Sequence, residues 1–414
     1  MTHLHALAPC MCLLLSLCTS PNASQRTSSR QLGGETSRRV LRVALYPYVP
    51  QSATIALTIK TAFEDRNSAI NIHFVDLADD YYDSLPTMVA DKRADVFEVD
   101  GVFLDDLVRA RSIEEMPLTT VASSEGFLPF AWAASVVKGK LYAIPHWVCG
   151  NFLLFRRDDP AAVSLHSIRS LSQLETVIGR PAHDSGLFID LWGRSTLGEE
   201  YLDAMTALYR VPSAILAHTR STPLDSAAVH GLRRTLALCA AGFCKVDQYH
   251  SQEQFYPRQF AHGRARALVG YSERLYYVID EALHDSPLTE RAIGSGDIDA
   301  ALPPFADSAS TLLAWVDMMI VPSGLDAQTR DDAFRFVRFM ASDSLMLALL
   351  IPSPRHAPLY LLPARAHVYS NSELLKAAPL YGRFFELLAG AVTVREEKLN
   401  DRLRSVGKIL KDSL

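Results

Sequence analysis

The chain has 414 residues, 49% hydrophobic and 21% charged, a balance that suits a globular protein with material for two cores. Its formal charge of −5 removes the electrostatic reason to expect nucleic acid as a partner. Basic residues gather only at Arg26, Arg30, Arg38, Arg39 and Arg42, inside a stretch of Ser, Thr, Gln and Gly that reads as a solvated leader.

Residues 6–18 are apolar, interrupted by Pro9 and too short to span a bilayer. Small and polar residues follow, with no charge until Arg26. This predicts an export signal over 1–24, with His3 and His5 where Lys or Arg is usual, and a flexible leader over 25–39. No later run has the length and apolarity of a membrane helix, so a secreted or periplasmic protein is expected.

Residues 40–46 read as a buried first strand opening into Pro47-Tyr48-Val49-Pro50. A helix over 53–66, a strand over 70–75, a helix over 85–92 with Pro86 near its start and a strand over 94–99 follow. Strands alternating with helices predict a mostly parallel α/β sheet. Residues 133–137 and 139–145 read as two strand-like runs joined at Lys138-Gly139-Lys140. Residues 150–155 read as another strand. Helices are expected over 164–177, 195–209 and 227–242. A strand over 266–270 leads into Tyr271-Ser272-Glu273-Arg274, with a helix over 276–283. An apolar segment over 311–321 contains Asp317. Further helices are expected over 328–341 and 344–350, after Asn371, and from 389 to the end.

Six cysteines are present. Cys10, Cys12 and Cys18 belong to the removable segment. Cys239 and Cys244 are close enough to bridge each other, and zinc binding by that pair would need a second pair the mature chain lacks. Cys149 is then the odd thiol of an exported chain, which points to a nucleophile, against the commoner use of a free cysteine as a small buried hydrophobe. Small Gly150 follows it, and His146 and Trp147 lie just before. On a regular strand His146 and Cys149 point to opposite faces, which argues against His146 as the base for the thiol. Trp147 is expected to pack behind the cysteine.

The order of an α/β lobe, a crossover, a second lobe, a return and terminal helices resembles the two-lobed periplasmic-binding-protein architecture of type II. That resemblance places a ligand in the cleft between lobes. The lobes are expected at 40–145 with 308–414, and at 146–307. Four segments carry a closer likeness: Leu45 to Pro50, Asp95 to Asp100, Ile144 to Phe155 and Gly270 to Leu275. In that order they resemble thiamine pyridinylase, or thiaminase I, over most of the chain from about Leu41.

The resemblance implies that Cys149 attacks the pyrimidine of thiamine and that Glu273 takes its proton. It implies a small nucleophilic co-substrate (an amine, pyridine or thiol) and a monomer. A thiol with an ordinary pKa of about 8.5 is mostly protonated at neutral pH, so the attack needs such an acceptor. Read without the resemblance, Glu273 is a helix-start glutamate or a partner for Arg274. Thiamine carries an exocyclic amine and a positive charge, so carboxylates and aromatic faces are expected around it. Asp100 and Asp317 are the expected acceptors, and Tyr46, Tyr48 and Tyr271 the expected aromatic surfaces. Each also has an ordinary reading, as a turn or helix cap or as packing at a strand end. No Gly-rich phosphate loop appears and the 13 histidines are scattered, so no cofactor or metal is expected. The competing reading is an exported solute-binding protein without turnover, which the architecture alone favours.

Overall fold

The computed structural model describes residues 38–77, 81–118, 124–182, 185–191, 196–219, 223–244, 254–284, 296–308, 310–352 and 357–414. The expected export signal, and the leader up to residue 37, lie outside them. Three strands open the described chain: β1 (Arg39–Ala44), β2 (Ile70–Phe74) and β3 (Val96–Asp100). β1 lies between the other two and pairs with both in parallel. Helices Ser52–Arg66 and Tyr81–Ala90 make the crossovers. The first of these turns Ile55, Ile59 and Phe63 inward at helical spacing, the stripe that seals it to the sheet.

Helix Tyr81–Ala90 starts four residues before the sequence suggests, which puts Pro86 inside it. Proline has no N–H to give the carbonyl one turn back, and that carbonyl belongs to Tyr82. Asn400 Nδ2 donates to it instead, at 3.2 Å. Residues 133–137 also differ from expectation: helix Pro129–Ser135 takes most of the run, begun by proline in its first turn and continued by alanines. Only β4 (Val136–Val137) remains extended, and it pairs with β5 (Lys140–Leu141). Lys138 and Gly139 between them both have positive φ, which suits a two-residue hairpin turn.

β6 (Ile144–Cys149) belongs to the first sheet, and β7 (Phe152–Arg156), two residues later, belongs to the second. The chain therefore changes sheet at Gly150-Asn151. A Cβ on Gly150 would sit 2.6 Å from the Leu313 carbonyl oxygen, so glycine is required there by close approach of two backbones. The second sheet is completed by β8 (Leu187–Ile189), β9 (Ala267–Gly270) and β10 (Ile298–Ala301), in the order β10-β7-β9-β8. β11 (Trp315–Ile320) then returns to the first sheet, and β12 (Leu362–Pro363) closes its edge, giving β12-β6-β11-β3-β1-β2. Pairing is parallel only for β1 with β2 and β3, and for β8 with β9; the strands that carry the chain to and from the second sheet run antiparallel to their neighbours. The mostly parallel expectation thus gives way to two mixed sheets.

The helix expected over 164–177 is two, Ala162–His166 and Leu171–Ile178; Ser170 caps the second by accepting from the Gln173 N–H. Cys239 and Cys244 are disulfide-bonded, as their spacing suggests. At the C-terminus, helix Leu399–Ser413 packs on helix Thr196–Tyr209, closely enough that a Cβ on Gly198 would strike the Leu403 carbonyl oxygen at 2.3 Å. The same terminal helix reaches the first sheet's side through Asn400 to Tyr82 and through Arg404 to Asp83.

Candidate active site

Strand register builds one wall of the site. Asp317 in β11 stands opposite Asp100 at the end of β3, and opposite Trp147 in β6. Side chains alternate along a strand, so Cys149, two residues past Trp147, shares that face. Cys149 ends β6 with its thiol unpaired and part of its surface open. Across from it, β9 ends at Gly270 and the chain turns through Tyr271, Ser272 and Glu273 into helix Arg274–His284. Ser272 Oγ donates to the Tyr360 carbonyl oxygen at 2.7 Å and anchors that turn.

Glu273 is buried, 7% exposed. Its neighbour Arg274 is held by Asp190 at the end of β8, while Arg274 Nη1 lies 3.9 Å from Glu273 Oε1. Arg274 is thus a minor partner of Glu273. Tyr271 donates its hydroxyl to Glu199 Oε2 at 2.8 Å, and the Arg274 guanidinium stands 5.7 Å from its ring centre.

The aromatic side comes from the loop after β1 and the helix after β2. Tyr46 and Tyr82 share a hydrogen bond of 3.0 Å between hydroxyls, and Tyr82 donates to Asp100 Oδ2 at 3.2 Å. Tyr48 meets Tyr46 edge-on at 5.5 Å and lies parallel to Tyr82 at 6.1 Å. Tyr81, fully buried, accepts from the Asp100 N–H at 2.6 Å, and Asp100 Oδ1 in turn accepts from Val102 N–H at 3.0 Å. The seven side chains singled out in the sequence are therefore neighbours, joined by strand register, ring contacts and mutual charge effects.

Their surroundings are acidic. Burial pushes the Cys149 thiol well above its ordinary pKa, and the charges of Asp317, Glu273, Asp100 and Glu199 push it further. Burial likewise lifts Asp317 well above the carboxylate range, with Asp100, Glu98 and Glu273 adding to the shift. Asp100 rises to about 7, chiefly by burial, with Glu199 contributing from helix Thr196–Tyr209. The phenols of Tyr46, Tyr82 and Tyr271 are raised by burial and then by neighbouring ionisable groups. Carboxylates from both sheets thus face one thiol, an arrangement that favours a cationic guest bearing hydrogen-bond donors. Among the described residues no three His, Cys, Asp or Glu side chains are grouped to hold a metal ion.

His146 departs from the strand alternation. The register between β6 and β11 shifts at Asp317/Met318, where Trp147 and Pro145 face consecutive residues and His146 is the extra one. Its Nδ1 meets Glu98 Oε1, so the ring is committed to Glu98. Glu98 also accepts from the Tyr46 backbone N–H at 3.1 Å. Glu98, Tyr82 and Glu199 are contributors that the sequence reading did not select. Glu98 had a signal, since it shares a strand face with Asp100 two residues away.

A Thiaminase-1 domain is matched over residues 150–286. Over that third of its length the chain is similar to the thiaminase I family. A Thiaminase-1 from Paenibacillus thiaminolyticus is 25% identical over 359 residues, 84% of this chain and 81% of that protein. In three dimensions, Clostridium botulinum thiaminase I in complex with thiamin has a TM-score of 0.75 at 23% identity, covering 90% of this chain and 99% of that one. The maltose-bound MalE3 of T. maritima has a TM-score of 0.67 at 16% identity, covering 91% and 100%. The thiaminase I architecture is thus the two-lobed fold of solute-binding proteins. The matched domain begins at the residue after Cys149 and takes in Glu199, Tyr271 and Glu273.

Proposed function

We propose that this chain is a thiamine-degrading transferase that displaces the thiazole of thiamine with an external base through a covalent bond to Cys149. The observation that carries the reading is a thiol at the crossover between two sheets, faced by carboxylates from both. In the empty site those carboxylates oppose ionisation of the thiol. Thiamine brings a positive charge that offsets them, so the nucleophile is generated only once the substrate is in place.

Cys149 Sγ adds to the pyrimidine ring carbon beside a nitrogen and its proton passes to Glu273. The bond from the methylene to the thiazolium nitrogen then breaks, and the thiazole leaves with the electron pair. An incoming amine, pyridine or thiol adds to the methylene, the carbon–sulfur bond breaks, and Glu273 returns or relays the proton. One displacement at an unreactive carbon becomes an addition and an elimination. Asp100 and Asp317 accept from the pyrimidine amine, and Tyr46, Tyr48 and Tyr271 supply the aromatic faces. The protein acts as an exported monomer: the apolar run over 6–18 serves as its export signal, and no helix among the described residues is long and apolar enough to cross a membrane.

Incubation with thiamine and aniline, followed by assay of free thiazole, tests the activity. Thiazole release is expected from the wild type and loss of at least about a thousandfold from Cys149→Ser, since a serine hydroxyl is a far weaker nucleophile. Thiamine that survives the wild-type incubation intact identifies a binding protein without turnover. Turnover by Cys149→Ser at the wild-type rate removes Cys149 from the mechanism.

A further inference from the structure

The loop that carries Tyr46 and Tyr48 ends at Gln51, and the turn that carries Glu273 runs on into Tyr276. These two residues meet: Gln51 Nε2 donates to the Tyr276 hydroxyl at 2.6 Å, across 225 positions of sequence. Gln51 is an uncommon opening for helix Ser52–Arg66. Its φ of 56° lies in the left-handed region, which a residue with a Cβ adopts at a cost. A Ser, Thr, Asp or Asn at this position would cap the helix with its own side chain, and Gln51 makes no such bond. Its amide is committed elsewhere: Thr54 Oγ1 donates to Oε1 at 3.2 Å, which leaves Nε2 for the phenol. Backbone strain of this kind persists where surrounding contacts hold it, and it gathers at working sites. Tyr276 is fixed from its own side. It is 5% exposed, and its N–H donates to the Glu273 carbonyl oxygen at 3.1 Å.

We propose that Gln51 and Tyr276 are a positioning pair for the transfer, whose hydrogen bond sets the separation between the tyrosine loop and Glu273. The inference rests on the transferase reading, in which Glu273 receives the thiol proton. On one side the bond holds the first turn of a helix packed on the first sheet, where the Ile55 N–H donates to the Gln51 carbonyl oxygen at 3.0 Å. On the other it holds the first turn of the helix that follows β9. Both residues act through the groups beside them. Gln51 is exposed, so water competes for its amide and the bond can open and re-form as substrate enters and product leaves.

Gln51→Ala, Tyr276→Phe and the double variant, each in the full chain, test the pair. For the geometry, spin labels at Leu57→Cys and Leu283→Cys, exposed on the two helices, are followed by pulsed electron paramagnetic resonance, with Cys149→Ser to keep the thiol unlabelled. Each single variant is expected to lengthen or broaden the distance between labels, and the double variant to go no further. For the reaction, with Cys149 restored and the labels omitted, each single variant should lower kcat/KM for thiazole release about fivefold, the effect of one hydrogen bond. The double variant should again fall no further, and the loss should sit in kcat more than in KM. Unchanged distances, or losses that multiply in the double variant, overturn the proposal. Tyr276→Phe keeps the ring and Gln51 lies at the surface, so urea midpoints near the wild-type value should separate positioning from unfolding. The distances need no thiamine. Intact thiamine after the wild-type incubation would therefore sink the transferase reading alone, and the labels would still decide the pair.

Discussion

Asp203→Asn should make the protein more stable at neutral and alkaline pH. Asn151, the second residue of the sheet crossover, donates its amide to Asp203 Oδ2 at 2.7 Å and to Glu200 Oε1 at 3.2 Å. Both acids are buried on helix Thr196–Tyr209. Burial lifts Asp203 from an ordinary 3.8 to about 8 and carries Glu200 well above the carboxylate range, with Asp203 adding to the latter. A folded-state pKa above the unfolded one means that the folded chain keeps a proton the unfolded chain has released. Stability is then full below the unfolded value and falls as pH rises towards the folded value. Each unit is worth about 1.4 kcal/mol, so between about pH 6 and pH 8 the wild type should lose about 2 to 3 kcal/mol through this one group. An asparagine still accepts from Asn151 and carries no proton to lose. Urea midpoints at pH 6, 7 and 8 should show the variant gaining on the wild type by that amount, a large part of the stability of a typical domain. A difference that stays level over this range would mean that Asp203 is already ionised in the folded protein, and the reasoning would be wrong.

Two further outcomes are expected. Gly150→Ala drives a methyl to 2.6 Å from the Leu313 carbonyl oxygen and 3.1 Å from Leu312 Cδ1. That backbone is pinned by Val392, which donates to Leu312 at 2.9 Å and accepts from Ala314 at 2.8 Å, so strain of about 1 to 3 kcal/mol should appear in urea unfolding, with slower thiazole release. Wild-type midpoint and rate would show that the crossover yields. Alkylation of Cys149 by iodoacetamide, read by mass spectrometry on its own peptide, should keep accelerating at pH values where an ordinary thiol has levelled off, because burial and four carboxylates oppose the thiolate. Asp317→Asn removes one of those charges and should move the inflection to lower pH; an unmoved profile would place Asp317 outside the thiol's field.

Much of the framework is legible in the residues themselves. β1, β2 and β3 announce themselves as apolar runs between turn formers, and Cys149 stands out by counting, because the other cysteines fall in the apolar N-terminal run or have a near neighbour. What stays hidden depends on partners remote in sequence. Glu199 looks like any acidic residue opening a helix; only the fold brings it to Tyr271, 72 positions away. The orientation of His146 follows from the register of β6 on β11, a property of two strands together, so alternation within β6 alone misplaces it. Residues 133–137 are apolar enough for either a strand or a helix, and Pro129 with the alanines after it tips the balance.

The terminal helix has a consequence of its own. Leu399–Ser413 lies along a helix of the second sheet's side while Asn400 holds Tyr82, whose hydroxyl donates to Asp100, and Arg404 holds its neighbour Asp83 on the other. The fifteen residues of this helix therefore act as a keystone between two sheets whose strands all precede it in the chain. Both sheets can complete their strands without it, yet this helix ties the side that carries Tyr82 to the side that carries Glu199.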